Sequence, residues 1–280
     1  MGDRKRFARA FWGCDNWGLR SLSPNYAAWQ GEYAFLLSTL VQKDFKVRYR
    51  NMSLGVLWSL LNPLVTMAAL TFVFTRIFAS PSRQFPVFVL CGLVPFNFFT
   101  LAWTAATGSL VENASIMKRV PIPREAVPIA TVFGNCVHLL IQIGLLLTFV
   151  LAFGNRMNWH WLWLPVLWGF EIVFVCGMAL ITSAVNIYIR DTRYVVESVN
   201  ILLFWCVPIF YGFERIPARF VELYRFNPIA ALVMALRNIL LDGTSPPPGL
   251  LLKLAGVSVL VLLLGLLVFR KLQQGFYEYL

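Results

Sequence analysis

The stretch KDFKVRYRNMSLGVLWSLLNPL, Lys43 to Leu64, changes character at Asn51. Five of the eight residues from Lys43 to Arg50 are charged, whereas the next 25, Asn51 to Thr75, carry no charge at all. As a helix those 25 residues would reach about 37 Å, enough to cross about 30 Å of hydrocarbon. The pattern recurs. Gln84 to Val111 is uncharged, Ala126 to Asn155 holds only neutral His138, and Trp159 to Ile189 carries the single charge of Glu171. A soluble chain has about a quarter of its residues charged; here the share is 13%, with 59% hydrophobic residues and a mean hydropathy of +0.68. A core built from 280 residues cannot enclose that much apolar surface, so the bilayer becomes the solvent.

Two further segments are shorter. Ser198 to Phe213 and Leu254 to Phe269 each have sixteen uncharged residues, about 24 Å of helix, and they cross only if flanking groups such as Glu197 and Lys253 sit at the boundary. The sequence therefore predicts an all-α membrane protein with six spans, at about 52–77, 85–110, 127–153, 161–187, 196–213 and 250–270. With six spans and the N-terminus inside, sixteen of the 24 Lys and Arg fall on the cytoplasmic side, nine of them before Asn51. That bias sets the orientation and puts both termini in the cytoplasm. No apolar run follows Arg4, Lys5, Arg6 and Arg9 before residue 33, so the N-terminus does not resemble a cleavable signal peptide.

Two regions fit neither a span nor an ordinary loop. Projected on a helix, Tyr33, Leu36, Leu37, Leu40, Val41 and Val47 share one face and Gln42, Lys43, Lys46 and Arg50 lie opposite, with Asp44 and Phe35 out of place. A cationic helix of this kind beside a span is expected to lie in the cytoplasmic interface; a solvated linker is the alternative. In Arg215 to Pro248, the uncharged run Phe226 to Leu236 is interrupted by Pro228 and ended by Arg237. At about 16 Å it is too short to cross. Either short helices dip into the outer leaflet and return, which requires protein or water to satisfy the irregular backbone, or the segment is an external amphipathic loop.

Several chemistries have no foothold. The chain contains no G-x-x-x-x-G-K-[ST] phosphate cradle, no H-E-x-x-H, no G-x-S-x-G and no aspartate cluster for metal-assisted transfer. Its five cysteines are scattered singly, which reads as small apolar filler rather than a metal site. A net charge of +11 suits nucleic acid only with a polar exterior, which is lacking. His138 in mid-span and His160 among tryptophans are poorly placed for catalysis, and Glu171 alone is thin support for proton-coupled transport.

Between the second and third spans runs ENASIMKRVPIPREAVPIA, residues 112–130, where Pro121, Pro123 and Pro128 stiffen the backbone. It is expected to form a rigid cytoplasmic knob suited to docking a soluble partner. Aromatics are the other excess, at 15% of the chain. Trp159, Trp161, Trp163 and Trp168 mark the outer interface. Trp58, Phe72, Phe74, Phe99, Trp103, Phe204, Trp205, Phe210 and Tyr211 lie within predicted spans. Each could simply pack against lipid; together they could line a passage in which flat apolar faces meet sugar C–H faces through weak, repeated contacts.

Lys43, Asp44, Lys46, Arg48 and Tyr49, the run SLGVLWSLLNPL, KRVPIPREAVPIA from Lys118 to Ala130, and NPIAALVMALRNILLDG before the last span resemble the permease subunits of type-2 ABC exporters for O-antigen, capsular or teichoic polymers. The resemblance covers about residues 33–275, leaving an N-terminal extension, 1–30, and a tail, 276–280. It implies a transmembrane domain over 31–275 that pairs as a homodimer in the bacterial inner membrane, with two copies of a separate ATP-binding subunit. ATP and Mg would sit on that subunit; no cofactor or metal is expected on this chain, and nucleic acid is not an expected partner. It also implies that 33–50, with Lys43, Asp44, Lys46, Arg48, Tyr49 and Arg50, is an interface helix. Glu112, Asn113, Ile116, Met117, Lys118, Arg119, Pro121, Pro123, Arg124 and Glu125 would form the ATPase-coupling loop, and 215–243 short re-entrant helices. The cargo implied is an undecaprenyl-linked polysaccharide, with membrane lipid around it. A secondary transporter or channel without an ATPase is the alternative, and a membrane-embedded transferase is disfavoured by the missing acidic cluster.

Overall fold

A computed structural model describes residues 33–49, 58–77, 84–119, 122–213 and 226–279, together with 216, 217, 219, 221 and 224. The predicted N-terminal extension, Arg50 and Pro121 lie outside the described residues. Within them every regular element is helical. In chain order they are α1 (Tyr33–Tyr49), α2 (Trp58–Phe72, continued by a π-helical turn Val73–Ile77), α3 (Phe85–Glu112), α4 (Ala114–Arg119) and α5 (Ala126–Ala152). A 3₁₀ turn (Trp159–Trp163) then leads into α6 (Leu164–Tyr188), followed by α7 (Thr192–Cys206), α8 (Pro228–Leu240), α9 (Pro248–Leu272), a 3₁₀ turn (Gln273–Gly275) and α10 (Phe276–Tyr279).

Among the described residues five stretches are long and apolar enough to cross a membrane: Leu60–Ile77, Phe85–Glu112, Ala126–Ala152, Trp159–Tyr188 and Pro248–Gly275. The expected fifth span, 196–213, is helical only as far as Cys206. Its helix of 15 residues is about 22 Å long, short of the hydrocarbon thickness. The cause is Pro208. A residue before proline is pushed out of the α region, and Val207 adopts φ −80°, ψ 136°, ending α7 there. Residues 207–209 then turn inward and are buried.

The uncharged run around Pro228 also ends differently from its charge pattern. Pro228 is the first residue of α8 rather than a break within it, and Asn227 caps it by accepting from the backbone N–H of Ile229 at 3.1 Å. Proline at the first helical position loses only an N–H that has no partner anyway. The helix runs past Arg237 to Leu240 and is buried over most of its surface.

Helix α3 forms the centre. Of the residues in its most apolar stretch, 72% are buried, against 11% for the first span and 17% for the last, and those two leave large apolar side chains such as Val65, Phe72, Leu260 and Leu263 exposed. Within the bundle α3 packs against α5 and α6, and α9 lies along α6. The α6–α9 approach is set by backbone: a Cβ at Gly177 would stand 2.6 Å from the backbone of Val261 and Leu262, and one at Gly265 would stand 2.5 Å from the Gly177 carbonyl oxygen. Without a hydrophobic driving force between helices in lipid, such small-residue crossings supply the close contact that holds them together.

Two apolar clusters result. The larger joins α3, α5, α6 and α8. The second lies at the end where α1, α4 and α10 gather and includes Leu36, Leu110, Ile122, Ile187, Phe269 and Phe276. Substituting Gly177→Leu is expected to force α6 and α9 apart and to lower the yield of folded protein sharply in a detergent size-exclusion assay. Gly256→Leu on the same helix pair, where an added Cβ meets nothing within 4 Å, is expected to be tolerated.

Candidate functional site

At the α4 end, polar contacts fasten α1 to the turn between α3 and α4. Asn113 is buried there; its side-chain amide donates to the Ser109 carbonyl at 2.8 Å. Its Oδ1 accepts from Lys43 Nζ. Lys43 lies 3.5 Å from the Asp44 carboxylate, which accepts in turn from Thr131 Oγ1 on α5 at 3.1 Å. Asp44, which falls on the apolar face of α1, is thus turned into the protein to meet Thr131. The expected interface helix and the expected coupling loop are in direct contact through Lys43, Asp44 and Asn113.

The rest of the loop divides by surroundings. Ile116 and Met117 pack on the second apolar cluster, Ile122 and Pro123 are buried, and Lys118 and Lys46 point to solvent. Glu112 meets Arg193 at 3.7 Å, and Arg193 also reaches Glu197 at 3.4 Å. These exposed pairs are worth little stability, but they tie the start of α7 to the end of α3, as does Asn200 donating to Thr104 at 3.0 Å. Arg124 donates to the Gln273 carbonyl at 3.0 Å. Glu125 is half-buried. The side chains of Arg48, Tyr49 and Arg119 lie outside the described residues, as do Arg50 and Pro121.

At the opposite end the aromatics separate into two sets. Phe74, on the π-helical turn, stacks on Phe210 with ring centroids 5.3 Å apart. Phe210 also meets Trp205 at 5.5 Å, Tyr211 at 5.3 Å and Phe204 at 6.1 Å. Trp205 and Phe72 are 64% and 63% exposed, so this set opens onto the surface of the chain. Phe99 and Trp103 instead lie inside. Their rings are 5.1 Å apart, Phe99 stacks on Phe174, and the Trp103 indole donates to Thr182 at 3.2 Å. The Trp58 side chain lies outside the described residues. Tyr211 has a structural task as well: its hydroxyl donates to the Trp205 and Cys206 carbonyls at 3.2 and 3.0 Å. Those are carbonyls that a helix end leaves without intrahelical partners.

Arg237 is the residue that sequence reasoning missed. Only 6% exposed, it donates to the carbonyls of Ile209 at 2.8 Å, Phe88 at 3.2 Å and Tyr211 at 3.3 Å, and its guanidinium lies 3.4 Å from the Phe88 ring centroid. A planar, permanently charged fork suits this carbonyl set in a way a lysine ammonium does not. It clasps α3, the segment after Pro208 and α8, and it holds Phe210 and Tyr211 by their backbone. By its position a charge one residue past an apolar run reads as the end of a helix; here it is a buried hub instead. Glu171 on α6 is also buried, and neither carboxylate oxygen has a hydrogen-bond partner among the described residues.

Helices of this length and polarity, leaving apolar flanks uncovered, define a multi-pass membrane protein. The profile of the family described as ABC-2 type transporter matches residues 36–241, and the chain belongs to that family. An O-antigen export system permease protein RfbA from Klebsiella pneumoniae is 30% identical over 246 residues, spanning 88% of this chain and 95% of its own. A protein of the same name from Myxococcus xanthus is 28% identical, with 88% and 96% covered. The polysialic acid transport protein KpsM of Escherichia coli is 23% identical, with 85% and 94% covered.

Replacing Arg237 by Met keeps the length but strands three carbonyls. It is expected to cost about 3 kcal/mol, read as a fall in melting temperature of the purified protein, and Arg237→Lys is expected to recover less than half. An unchanged melting temperature in Arg237→Met would show that the clasp carries no stability.

Proposed function

We propose that this chain is the membrane-spanning permease of an ATP-driven exporter that moves a lipid-linked polysaccharide, carried on undecaprenyl, across the bacterial cytoplasmic membrane. The observation that carries this is the near full-length match to polysaccharide and O-antigen permeases, 94–96% of each relative's own chain. Two copies pair in the membrane, and each engages one ATP-binding subunit supplied by a separate chain, where ATP and Mg are held. In this arrangement α7 with residues 207–213 serves as the fifth of six spans, both termini are cytoplasmic, and α8 dips into the outer side without crossing. The N-terminal extension 1–30 precedes the transmembrane domain.

The α4 end is then the cytoplasmic platform. Lys46 and Lys118 present charge to the ATP-binding subunit, while the contact of Lys43 with Asn113 passes displacement of the coupling loop, residues 112–125, to α1. Such an element acts by rigid-body shift of packed helices rather than by local chemistry. At the other end Phe72, Phe74, Phe204, Trp205, Phe210 and Tyr211 present flat apolar faces to the passing glycan. Contacts of this kind bind weakly at many points, so a polymer advances without being trapped. Phe99 and Trp103, enclosed by the chain's own core, support that surface from behind.

Deleting the gene is expected to remove one surface polysaccharide and to cause its lipid-linked form to accumulate inside. Complementation with Trp205→Ala, whose ring is largely exposed, should restore normal protein level but slow the reappearance of the polymer about tenfold, the scale of one lost aromatic contact per step. Unchanged surface polysaccharide in the deletion strain would contradict the assignment.

A further inference from the structure

Helix α9 does not simply run out of the bundle at its C-terminal end. After Leu272 one 3₁₀ turn, Gln273–Gly275, leads into the four residues of α10. Phe276 is completely buried, its ring edge-on to Phe269 with centroids 5.6 Å apart and 6.0 Å from the Tyr188 ring. Tyr188 at the end of α6 donates its hydroxyl to the Leu272 carbonyl at 2.6 Å and lies 4.8 Å from the Tyr279 ring. The apolar cluster that receives Phe276 also contains Leu36 of α1, Leu110 of α3, Ile122, and Ala126 and Val127 at the start of α5. The segment thus fills a shared core.

Arg124 closes the arrangement from the loop side. Its Nη1 donates to the Gln273 carbonyl at 3.0 Å, and its guanidinium stands 5.7 Å from the Phe276 ring centroid. Part of a side chain expected to face a soluble partner is thus committed to the chain's own tail, across 149 residues of sequence. Ile122 shares the buried cluster with Phe276, Arg124 approaches its ring, and Phe276 packs against Tyr188 of α6 and Phe269 of α9.

We propose that the C-terminal segment Gln273–Tyr279 is a strut of the coupling platform, with Arg124 and Phe276 as positioning residues that make the coupling loop and the ends of α6 and α9 move as one body. This role depends on residues 112–125 taking the thrust of an ATP-binding subunit, as proposed above. Two packed elements joined by a buried plug and a hydrogen bond transmit displacement; with the plug removed, the loop can be pushed while the helices stay where they are.

The test uses the full exporter, purified as the permease with its ATP-binding subunit and expressed in a strain lacking the chromosomal permease. Three quantities are read: the amount of ATP-binding subunit retained by the permease, the ATPase rate of the complex, and surface polysaccharide per cell. Phe276→Ala and a chain ending at Gly275 are expected to retain the partner and to hydrolyse ATP within about twofold of the parent, while surface polysaccharide falls about tenfold. Phe276→Tyr, which keeps the ring, should restore export. If the truncated chain fails to accumulate, Tyr188→Phe carries the test, because it keeps the ring while removing the hydroxyl that donates to the Leu272 carbonyl, and it is expected to give the same separation of hydrolysis from export. Parental export in assembled Tyr188→Phe and Phe276→Ala complexes would overturn the strut. Failure of the parental permease to retain any ATP-binding subunit is a different result; it would overturn the proposed function itself, and the strut with it.

Discussion

The close crossing of α6 and α9 is the contact on which the remaining architecture depends. Apolar side chains gain nothing by leaving lipid for one another, so two helices must approach until their backbones touch. Gly177 and Gly265 permit that approach, and a Cβ at either position would meet backbone atoms at 2.5–2.6 Å. The crossing fixes the direction of α9 and so delivers Leu272 to the Tyr188 hydroxyl. From there Phe276 and the Gln273 carbonyl fall under the turn that carries Arg124. A larger residue at the crossing would disturb not only two helices but also the platform built on their ends.

The two ends of the bundle are held by different physics. At the α4 end, apolar packing is laced with hydrogen bonds among Lys43, Asp44, Asn113 and Thr131. At the α8 end a single buried cation satisfies three backbone carbonyls. Between them runs α7, of which only Val196 and Asn200 are buried. Its attachments to α3 are the exposed Glu112–Arg193 pair, the Asn200–Thr104 hydrogen bond and the edge-on contact of Phe204 with Phe96 at 5.6 Å. A lightly held helix between two firmly held ends is the element best able to shift. In the proposed cycle that shift would carry displacement of the platform to the aromatic rings at and beyond Trp205.

Much of this was legible in the sequence because charge exclusion is a blunt and reliable signal. The uncharged runs from Gln84, Ala126 and Trp159 give α3, α5 and α6, and the membrane class follows from them. What was harder to see came from single residues acting at long range. Pro208 shortened α7 by forcing Val207 out of the helix, a local rule that an uncharged count ignores. Arg237 looked like the end of an apolar run, because nothing near it in sequence indicates that carbonyls of residues 88, 209 and 211 converge there. The aromatic residues were visible as a list, yet only the fold separates enclosed Phe99 and Trp103 from the exposed surface around Trp205 and Phe210. The tail was legible only as a few residues after the last span; that Phe276 joins one buried cluster with Ile122 and Val127 depends on helix directions.

In the proposed function the chain is a conduit moved by a soluble motor that grips one end. The most direct test is reconstitution of the purified permease into proteoliposomes, with and without its separately purified ATP-binding subunit, following passage of lipid-linked glycan extracted from the host's membranes. The account predicts passage only when subunit and ATP are both present. Equal passage by the permease alone, indifferent to nucleotide, would contradict it.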